Sequence, residues 1–220
     1  MKKFDVILAD PPWSFRVWNK DTGNGRSAES HYPTMSLEDI CALPISDLAA
    51  ENCALFMWAV WPSIFDAQAV IEAWGFEYRT KAWSWVKANK TGFGFFTGMG
   101  YYTRANDEPC LLAVKGSMPV ARHDIQALIY APVREHSRKP DDQYRKIEAL
   151  YPNMSYLELF ARRKRLGWAS WGNEVSCDVD ITASNSSSSG IVGTGAKKST
   201  QLSMALSKET SQPTPQSAEH

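Results

Sequence analysis

Continuous apolar runs and partly alternating segments are spread along the first 175 residues, and each predicts a strand. The runs at 4–9, 53–60 and 108–115 are continuous, as is typical of strands buried on both faces of a sheet. Partial alternation predicts a strand over residues 78–87, where Trp83 and Trp85 lie. Shorter strands are predicted at 125–130, 156–160 and 168–171.

Helical signals separate these strands. Ser36, followed by an acidic residue at Asp39, is a capping pattern that opens a short helix. A second helix is predicted between Pro62 and Gly75, and a third after Pro140. Strands that alternate with helices predict an α/β fold with a mostly parallel sheet and helices on both faces. Two long loops, at 10–32 and 88–105, have no period, and long loops in compact domains are often functional.

Composition divides the chain into two parts. All 26 aromatic residues precede Ser176, whereas residues 176–220 contain no aromatic residue and 11 serines. Such a segment cannot bury enough apolar surface to offset the entropy of ordering it. The sequence therefore predicts one domain over residues 1–175 and a Ser-rich disordered tail over residues 176–220.

The net charge of the chain is zero, but its charged residues are unevenly distributed along the sequence. Residues 134–165 contain nine Lys or Arg against five Asp or Glu, an excess of four positive charges. This run is either a solvated charged face or a contact surface for nucleic acid.

The spacing of the cysteines and the residues at the N-terminus limit the classes of protein to which this chain can belong. No pair of the four cysteines has CxxC spacing, so no metal is expected. The chain begins without an apolar signal-peptide region and contains no stretch as long as a membrane span. A cytoplasmic location without membrane attachment is therefore expected.

The first predicted strand ends in Asp10, Pro11, Pro12 and Trp13. Prolines fix the backbone and remove its donors, so carbonyl groups at this strand end remain as acceptors. A carboxylate, oriented carbonyls and a flat indole suit a planar aromatic amine, because they can align its nitrogen lone pair with an electrophile. The alternative is a structural Pro-Pro turn with a tryptophan in the core.

These four residues resemble the catalytic motif of adenine-N6 methyltransferases, and the rest of the chain resembles the MT-A family (the MT-A-seventy type), as found in bacterial and phage members. Coverage runs from about Phe4 to Asn173. Further segments match in order: Tyr32-Pro-Thr-Met35, Phe56-Met-Trp58, Trp85-Val-Lys87, Glu108-Pro-Cys-Leu-Leu-Ala-Val-Lys-Gly116, Arg134-Glu-His-Ser-Arg-Lys-Pro140, Leu157-Glu-Leu-Phe-Ala-Arg162 and Trp171-Gly-Asn173.

The resemblance implies a Rossmann-like S-adenosylmethionine-dependent methyltransferase fold in a permuted order, with the catalytic strand first. Asp10 and Pro11 would hold the target amine beside Pro12, and Trp13 would stack on the adenine. Tyr32 and Glu108 match substrate-binding positions. Lys139, Arg162, Asn173 and Glu174 match cofactor-binding positions. The chain departs from the family at Ala161, Lys164 and Glu174, where Gly, His and Gln are common.

The function implied is methylation of the N6 amine of adenine in DNA, with S-adenosylmethionine as cofactor. RNA is the alternative polymer, and a non-catalytic nucleic-acid-binding partner subunit is the alternative role. The intact Asp10-Pro11-Pro12-Trp13 segment argues against that subunit and against methylation of another planar amine. A flipped or single-stranded base would be needed, because the amine is paired inside a duplex. The chain is expected to act as a monomer, or paired with itself or a paralogue.

Overall fold

A single sheet organises the described part of the chain, which in this computed structural model comprises residues 2–14, 34–98, 100, 102–135 and 138–181. Within these residues the sheet has seven strands in the order β5-β3-β4-β2-β1-β6-β7. They are β1 Phe4–Ala9, β2 Ala49–Trp58, β3 Glu77–Ala88, β4 Asp107–Lys115, β5 Leu128–Pro132, β6 Tyr156–Leu159 and β7 Trp168–Trp171.

Six of these strands run in one direction. Strands β2, β1, β6 and β7 are mutually parallel, and so are β3 and β5. Strand β4 is antiparallel to both of its neighbours, β2 and β3. The predicted mostly parallel α/β fold is thereby confirmed. The carboxyl ends of six strands and the amino end of β4 therefore meet at one edge of the sheet, where binding sites of such folds lie.

Within the same described residues, three α-helices cover the two faces of the sheet: α1 Leu37–Cys41, α2 Ile64–Ala73 and α3 Asp142–Leu150. Ile40 of α1 and Val70 of α2 pack in one core, and Ile147 of α3 packs in the other. Alternate residues of β2 point into the two cores, which explains its continuous apolar run. No helix in this described part is long and apolar enough to cross a membrane.

Local signals set the helix ends. The Ser36 hydroxyl accepts a hydrogen bond of 3.1 Å from the Asp39 amide at the start of α1. A 3₁₀ turn at Trp61–Ser63, which contains Pro62, leads into α2, and Gly75 follows its end with φ of 79°.

The strand predicted at 125–130 lies at Leu128–Pro132 instead, because its register is set by pairing with β3.

Residues beyond the predicted end of the domain also pack on it. The Asp178 amide donates to the Ser170 carbonyl at 2.8 Å, and the Asp178 carboxylate accepts from the Ser170 amide and hydroxyl at 2.9 and 3.0 Å. Ile181 is 4% exposed within the α1–α2 core. The domain thus reaches at least Ile181, six residues past the predicted boundary, because this segment lies along β7. Residues 182–220 of the predicted tail lie outside the described residues.

Candidate active site

The carboxyl edge of the sheet brings together charged residues that are far apart in the sequence. Asp10 directly follows β1, Lys87 lies at the end of β3, and Glu108 begins the antiparallel strand β4. Lys139 precedes α3. The carbonyl of Lys139 accepts a hydrogen bond from Arg134, and Gln143 of α3 accepts one of 2.6 Å from the Trp58 indole. These contacts fix Lys139 over the edge.

The four side chains form a line of alternating charges, which we call the edge ion network (Asp10, Lys139, Glu108 and Lys87). The Lys139 Nζ atom lies 2.8 Å from both Asp10 oxygens and 3.4 Å from Glu108 Oε2. Lys87 Nζ lies 2.5 Å from Glu108 Oε1. Burial raises the pKa of Glu108, but Lys139 and Lys87 outweigh it, so the net pKa lies below its ordinary value.

A cavity of about 430 Å³ opens beside this network, on the face that α3 covers. Asp10, Lys139 and Arg162, three of the predicted site residues, line it together. The remaining lining is both apolar and charged: Leu8, Trp58, Arg138, Asp141, Gln143, Tyr144, Glu158, Phe160, Arg163, Lys164, Arg165 and Leu166. Its volume lies within the range typical of small-molecule sites.

The turn after β1 is rigid and largely internal. Trp13 is 6% exposed, and its indole donates to the Trp58 carbonyl at 2.9 Å. The Pro11 carbonyl accepts from the Trp13 amide at 2.8 Å, and the Pro12 carbonyl accepts from the Met35 amide at 3.1 Å. Each carbonyl oxygen keeps a second lone pair. The burial of Trp13 favours a role in fixing this turn, and its stacking on a base stays a prediction.

Glu158 and Tyr144 are cavity residues that the sequence argument did not select. Glu158 lies in the middle of β6, and the Tyr144 hydroxyl of α3 donates toward both of its oxygens, at 2.9 and 3.1 Å. Burial raises the pKa of Glu158 to about 7, and nearby Asp10 adds to the effect, although the Tyr144 hydrogen bond opposes it. A carboxylate between two buried leucines of a strand was the available sequence signal.

The end of β6 has an unusual backbone. Phe160 adopts φ of 59°, in the left-handed region that disfavours side chains with a Cβ. Its ring lines the cavity and contacts Trp171 edge-on, with centroids 5.4 Å apart. A Cβ on Gly172 would lie 2.3 Å from the Ala161 carbonyl oxygen, so only glycine permits this close backbone approach.

The other predicted cofactor residues lie beside the cavity rather than in its wall. Asn173 and Glu174 are exposed after β7 and are not among its lining residues. A Glu174 oxygen lies 3.6 Å from Arg162 Nε, so an ion pair connects this position to the cavity. Lys164 lines the cavity but pairs with Asp178 at 2.5 Å. Tyr32 lies outside the described residues.

The basic run at 134–165 is largely paired with acidic side chains. Arg134 and Arg138 both contact Asp141, at 2.9 and 3.0 Å, and Arg165 contacts Glu148 at 3.1 Å. Part of this run is therefore a structural ion-pair surface. Among the residues that the structure describes, no group of three or more His, Cys, Asp or Glu is arranged to hold a metal ion.

A mostly parallel α/β sheet with a charged cavity at its carboxyl edge fits the fold of a Rossmann-like methyltransferase. The chain belongs to the MT-A70 family, whose model matches residues 4–174.

Relatives of known name share this match. The Type II methyltransferase M.MunI of Mycoplasma sp is 32% identical over 190 residues, which cover 79% of this chain and 78% of the relative. The N(6)-adenosine-methyltransferase MT-A70-like of Arabidopsis thaliana and the N(6)-adenine-specific methyltransferase METTL4 of Homo sapiens are each 32% identical over 79% of this chain. The matched region is only 24% and 38% of those two proteins. The predicted family and the class of enzyme, an adenine-N6 methyltransferase, are confirmed.

Proposed function

We propose that this chain transfers a methyl group from S-adenosylmethionine to the N6 amine of adenine in DNA. The observation that carries the proposal is the placement of Asp10. Its carboxylate follows the central strand β1, lines the cavity and is held by Lys139 at 2.8 Å. Asp10 therefore borders the cavity on one side and the outer part of the carboxyl edge on the other. A target base and a cofactor would have to meet at this residue.

The chemistry of the cavity suits this cofactor. S-adenosylmethionine carries a carboxylate, an ammonium and a sulfonium, and the wall offers both cations and carboxylates, among them Lys139, Arg162 and Glu158. The left-handed turn at Phe160 and the close approach of Gly172 to Ala161 bring backbone and an aromatic ring to the same wall. We assign the cofactor to this cavity, with Lys139 and Arg162 as its ligands and Asn173 and Glu174 at its rim.

The bound cofactor would supply an electrophilic methyl group on its sulfonium. Asp10 would accept a hydrogen bond from the adenine amine, and the second lone pair of the Pro11 carbonyl would accept another, which orients the nitrogen lone pair. Lys139 must then give up at least one Asp10 oxygen, and Glu108, 3.4 Å from Lys139, is the acceptor toward which its ammonium can turn. After methyl transfer the Asp10 carboxylate is the nearest acceptor for the proton that the amine loses.

One comparison favours DNA over RNA as the polymer. The match covers 78% of the Type II methyltransferase but 24% of the plant adenosine methyltransferase, so most of the former relative aligns with this domain. The RNA-acting alternative predicts transfer to adenosine oligonucleotides instead. The alternative of a non-catalytic partner subunit is disfavoured by the intact contact between Asp10 and Lys139.

Methyl transfer from labelled S-adenosylmethionine to single-stranded DNA, duplex DNA and RNA tests the proposal. Label recovered as N6-methyladenine in DNA is expected, and Asp10→Asn should reduce the rate by about 10² to 10³, because one transition-state acceptor is lost. Glu72→Gln, in the last turn of α2 and so at the end of that helix far from the carboxyl edge, is the matched control and should keep the rate.

Preferential labelling of RNA would overturn the choice of polymer. An Asp10→Asn variant with undiminished transfer would overturn the assigned site. Thermal unfolding of each variant shows whether a lost rate reflects a lost fold.

A further inference from the structure

Two of the acidic residues that line the cavity, Asp10 and Glu158, have different partners. Asp10 is neutralised by Lys139, whose Nζ lies 2.8 Å from both carboxylate oxygens. Glu158 receives only the neutral Tyr144 hydroxyl, at 2.9 and 3.1 Å, and within the described ranges it forms no ion pair with a lysine or arginine. The carboxyl group of Glu158 thus lines the cavity without a lysine or arginine as ion-pair partner among the described residues.

The elements around Glu158 bring it little compensating charge. Strand β1 places Leu8 opposite it and Asp10 beyond, and strand β7 places the neutral Ser170 opposite it. The start of α3 contributes Asp141 and Tyr144, and the β6–β7 connection contributes Arg165. Arg165 is paired with Glu148 at 3.1 Å and lies 4.4 Å from the Tyr144 ring centre. The remaining cavity cations, Arg138, Lys139, Arg162, Arg163 and Lys164, have acidic partners elsewhere.

Tyr144 is itself firmly held, so it can fix the Glu158 carboxyl. Its ring makes an edge contact with Trp168 at 5.3 Å, and the Trp168 indole donates to Glu148 at 2.9 Å. Burial, followed by the charge of Glu158, raises the pKa of Tyr144 well above its usual range. Its hydroxyl therefore stays a donor at every physiological pH.

We infer that Glu158 receives the ammonium group at the amino-acid end of the cofactor and releases a proton to solvent when the cofactor binds, with Tyr144 as a positioning residue for its carboxyl. This inference rests on the proposed function, because it concerns the cofactor proposed above. Cofactor binding is then coupled to the release of one proton, and Glu158 in the cavity wall is the residue that releases it.

The direction of the linkage follows from the surroundings. In the ligand-free protein burial raises the pKa of Glu158 to about 7, so the neutral acid is abundant at pH 6. A bound ammonium favours the carboxylate and lowers this pKa in the complex. The O–H bond of Glu158 breaks, its proton goes to solvent, and the carboxylate pairs with the ammonium. Affinity must therefore rise with pH up to the pKa of the free protein.

Calorimetric binding of S-adenosylhomocysteine to the full chain tests this inference without any turnover. This product has the same ammonium but no sulfonium. Titrations at pH 6 and pH 7.5, in buffers of different ionisation enthalpy, count the protons released. With a free pKa near 7, about 0.9 proton should leave at pH 6 and about 0.25 at pH 7.5, and Kd should fall about eightfold between them.

Three variants separate this role from a structural one. Glu158→Gln should bind without the proton release and with a Kd that no longer falls over this pH range. Tyr144→Phe removes the hydrogen bond that lowers the pKa of Glu158, so the midpoint of the pH dependence should move upward. Glu72→Gln, on α2 and hydrogen-bonded to Gln68 on the helix surface, should behave as the unaltered chain.

The possible results distinguish failure of this inference from failure of the proposed function. Binding of the product without proton release, or unchanged proton release in Glu158→Gln, would overturn the inference and leave the proposed function standing. No binding at any pH by a folded chain would overturn the proposed cofactor, and this inference with it. A Tyr144→Phe midpoint that stays in place would remove Tyr144 from the mechanism.

Discussion

A single residue at the carboxyl edge, Glu108, is kept ionised by lysine partners that the fold supplies. Glu108 is 8% exposed, and a buried carboxylate is costly unless it is paired. Lys87 and Lys139 supply two cations, and each also lies over a tryptophan ring, Trp85 and Trp58 respectively, at 5.2 and 5.5 Å. This pairing holds Lys139 where it reaches Asp10.

Replacing Lys87 by Met should destabilise the protein by about 2–3 kcal/mol at pH 7, because one of the two cations around a buried carboxylate is lost. The pKa of Glu108 should rise in the variant. The stability that ionised Glu108 contributes is present above its unfolded pKa and is lost as pH falls through its folded pKa. In the variant this acid loss should therefore begin at a higher pH, measurable by chemical unfolding between pH 3 and pH 7.

The double variant Lys87→Met with Glu108→Gln should regain at least half of the lost stability, because the unpaired charge is removed as well. Arg122→Met, which breaks an exposed pair with Asp124, is the control and should leave the unfolding midpoint unchanged. A Lys87→Met variant as stable as the unaltered chain at pH 7 would show that Lys139 alone neutralises Glu108.

At the scale of elements, the carboxyl edge has two halves that meet at Asp10. Strands β1, β6 and β7 with α3 surround the cavity, whereas β2, β3 and β4 carry exposed aromatic side chains in the loops beyond it. Trp61 follows β2, and Phe93, Phe95 and Tyr102 lie between β3 and β4. Phe95 contacts Tyr130 of β5 edge-on at 6.0 Å, which supports this loop on the sheet. Exposed aromatic rings beside cationic residues suit stacking on unpaired bases.

We expect Phe93→Ala to weaken binding of single-stranded DNA by at least about fivefold, since one stacked base contributes about 1–3 kcal/mol. The side chain is 83% exposed, so the fold should be unaffected. The cavity that we propose for the cofactor lies in the other half, so S-adenosylhomocysteine binding should not change. Fluorescence anisotropy with a labelled oligonucleotide measures the first effect and calorimetry the second.

Tyr78→Ala is the matched control, because Tyr78 is 44% exposed but lies at the start of β3, at the opposite end of the sheet from the carboxyl edge. It should bind DNA as tightly as the unaltered chain. Equal weakening in both variants would indicate a general loss of apolar surface, and no weakening in Phe93→Ala would exclude this residue from the DNA surface.

For the whole molecule, the end of the domain is set by packing rather than by composition. A chain that ends at Ile181 keeps the buried isoleucine and the Asp178 hydrogen bonds, and should melt within about 2 °C of the full chain. A chain that ends at Val175 loses both, which should cost about 3 kcal/mol and lower Tm by about 6–12 °C. Differential scanning calorimetry of the two shortened chains makes the comparison.

Equal melting temperatures for both shortened chains would show that residues 176–181 do not stabilise the domain. A large loss in the chain ending at Ile181 would contradict the disordered tail that composition predicts for residues 182–220.

Local patterns were sufficient for most elements, because a buried strand needs apolar residues on both faces and a helix end needs a cap. Strand β1 and strand β7 have their predicted bounds, and α1 starts after Ser36 as expected. Strand β5 could be placed only roughly, since its exposed Leu128 and Tyr130 alternate weakly and its register depends on β3. Composition averaged over 45 residues does not show the few apolar side chains of residues 176–181, such as Ile181.

The sequence by itself determined the α/β fold and the family, and it predicted a central role for Asp10, because strand periodicity and short motifs are local properties. Only the tertiary structure decided which charges meet. It placed Lys139 between Asp10 and Glu108, enclosed Trp13 in the core and paired Glu158 with Tyr144 inside the cavity. Burial and distance set the charge states of Glu108 and Glu158, and both depend on strand order, which brings residues more than a hundred positions apart to one edge.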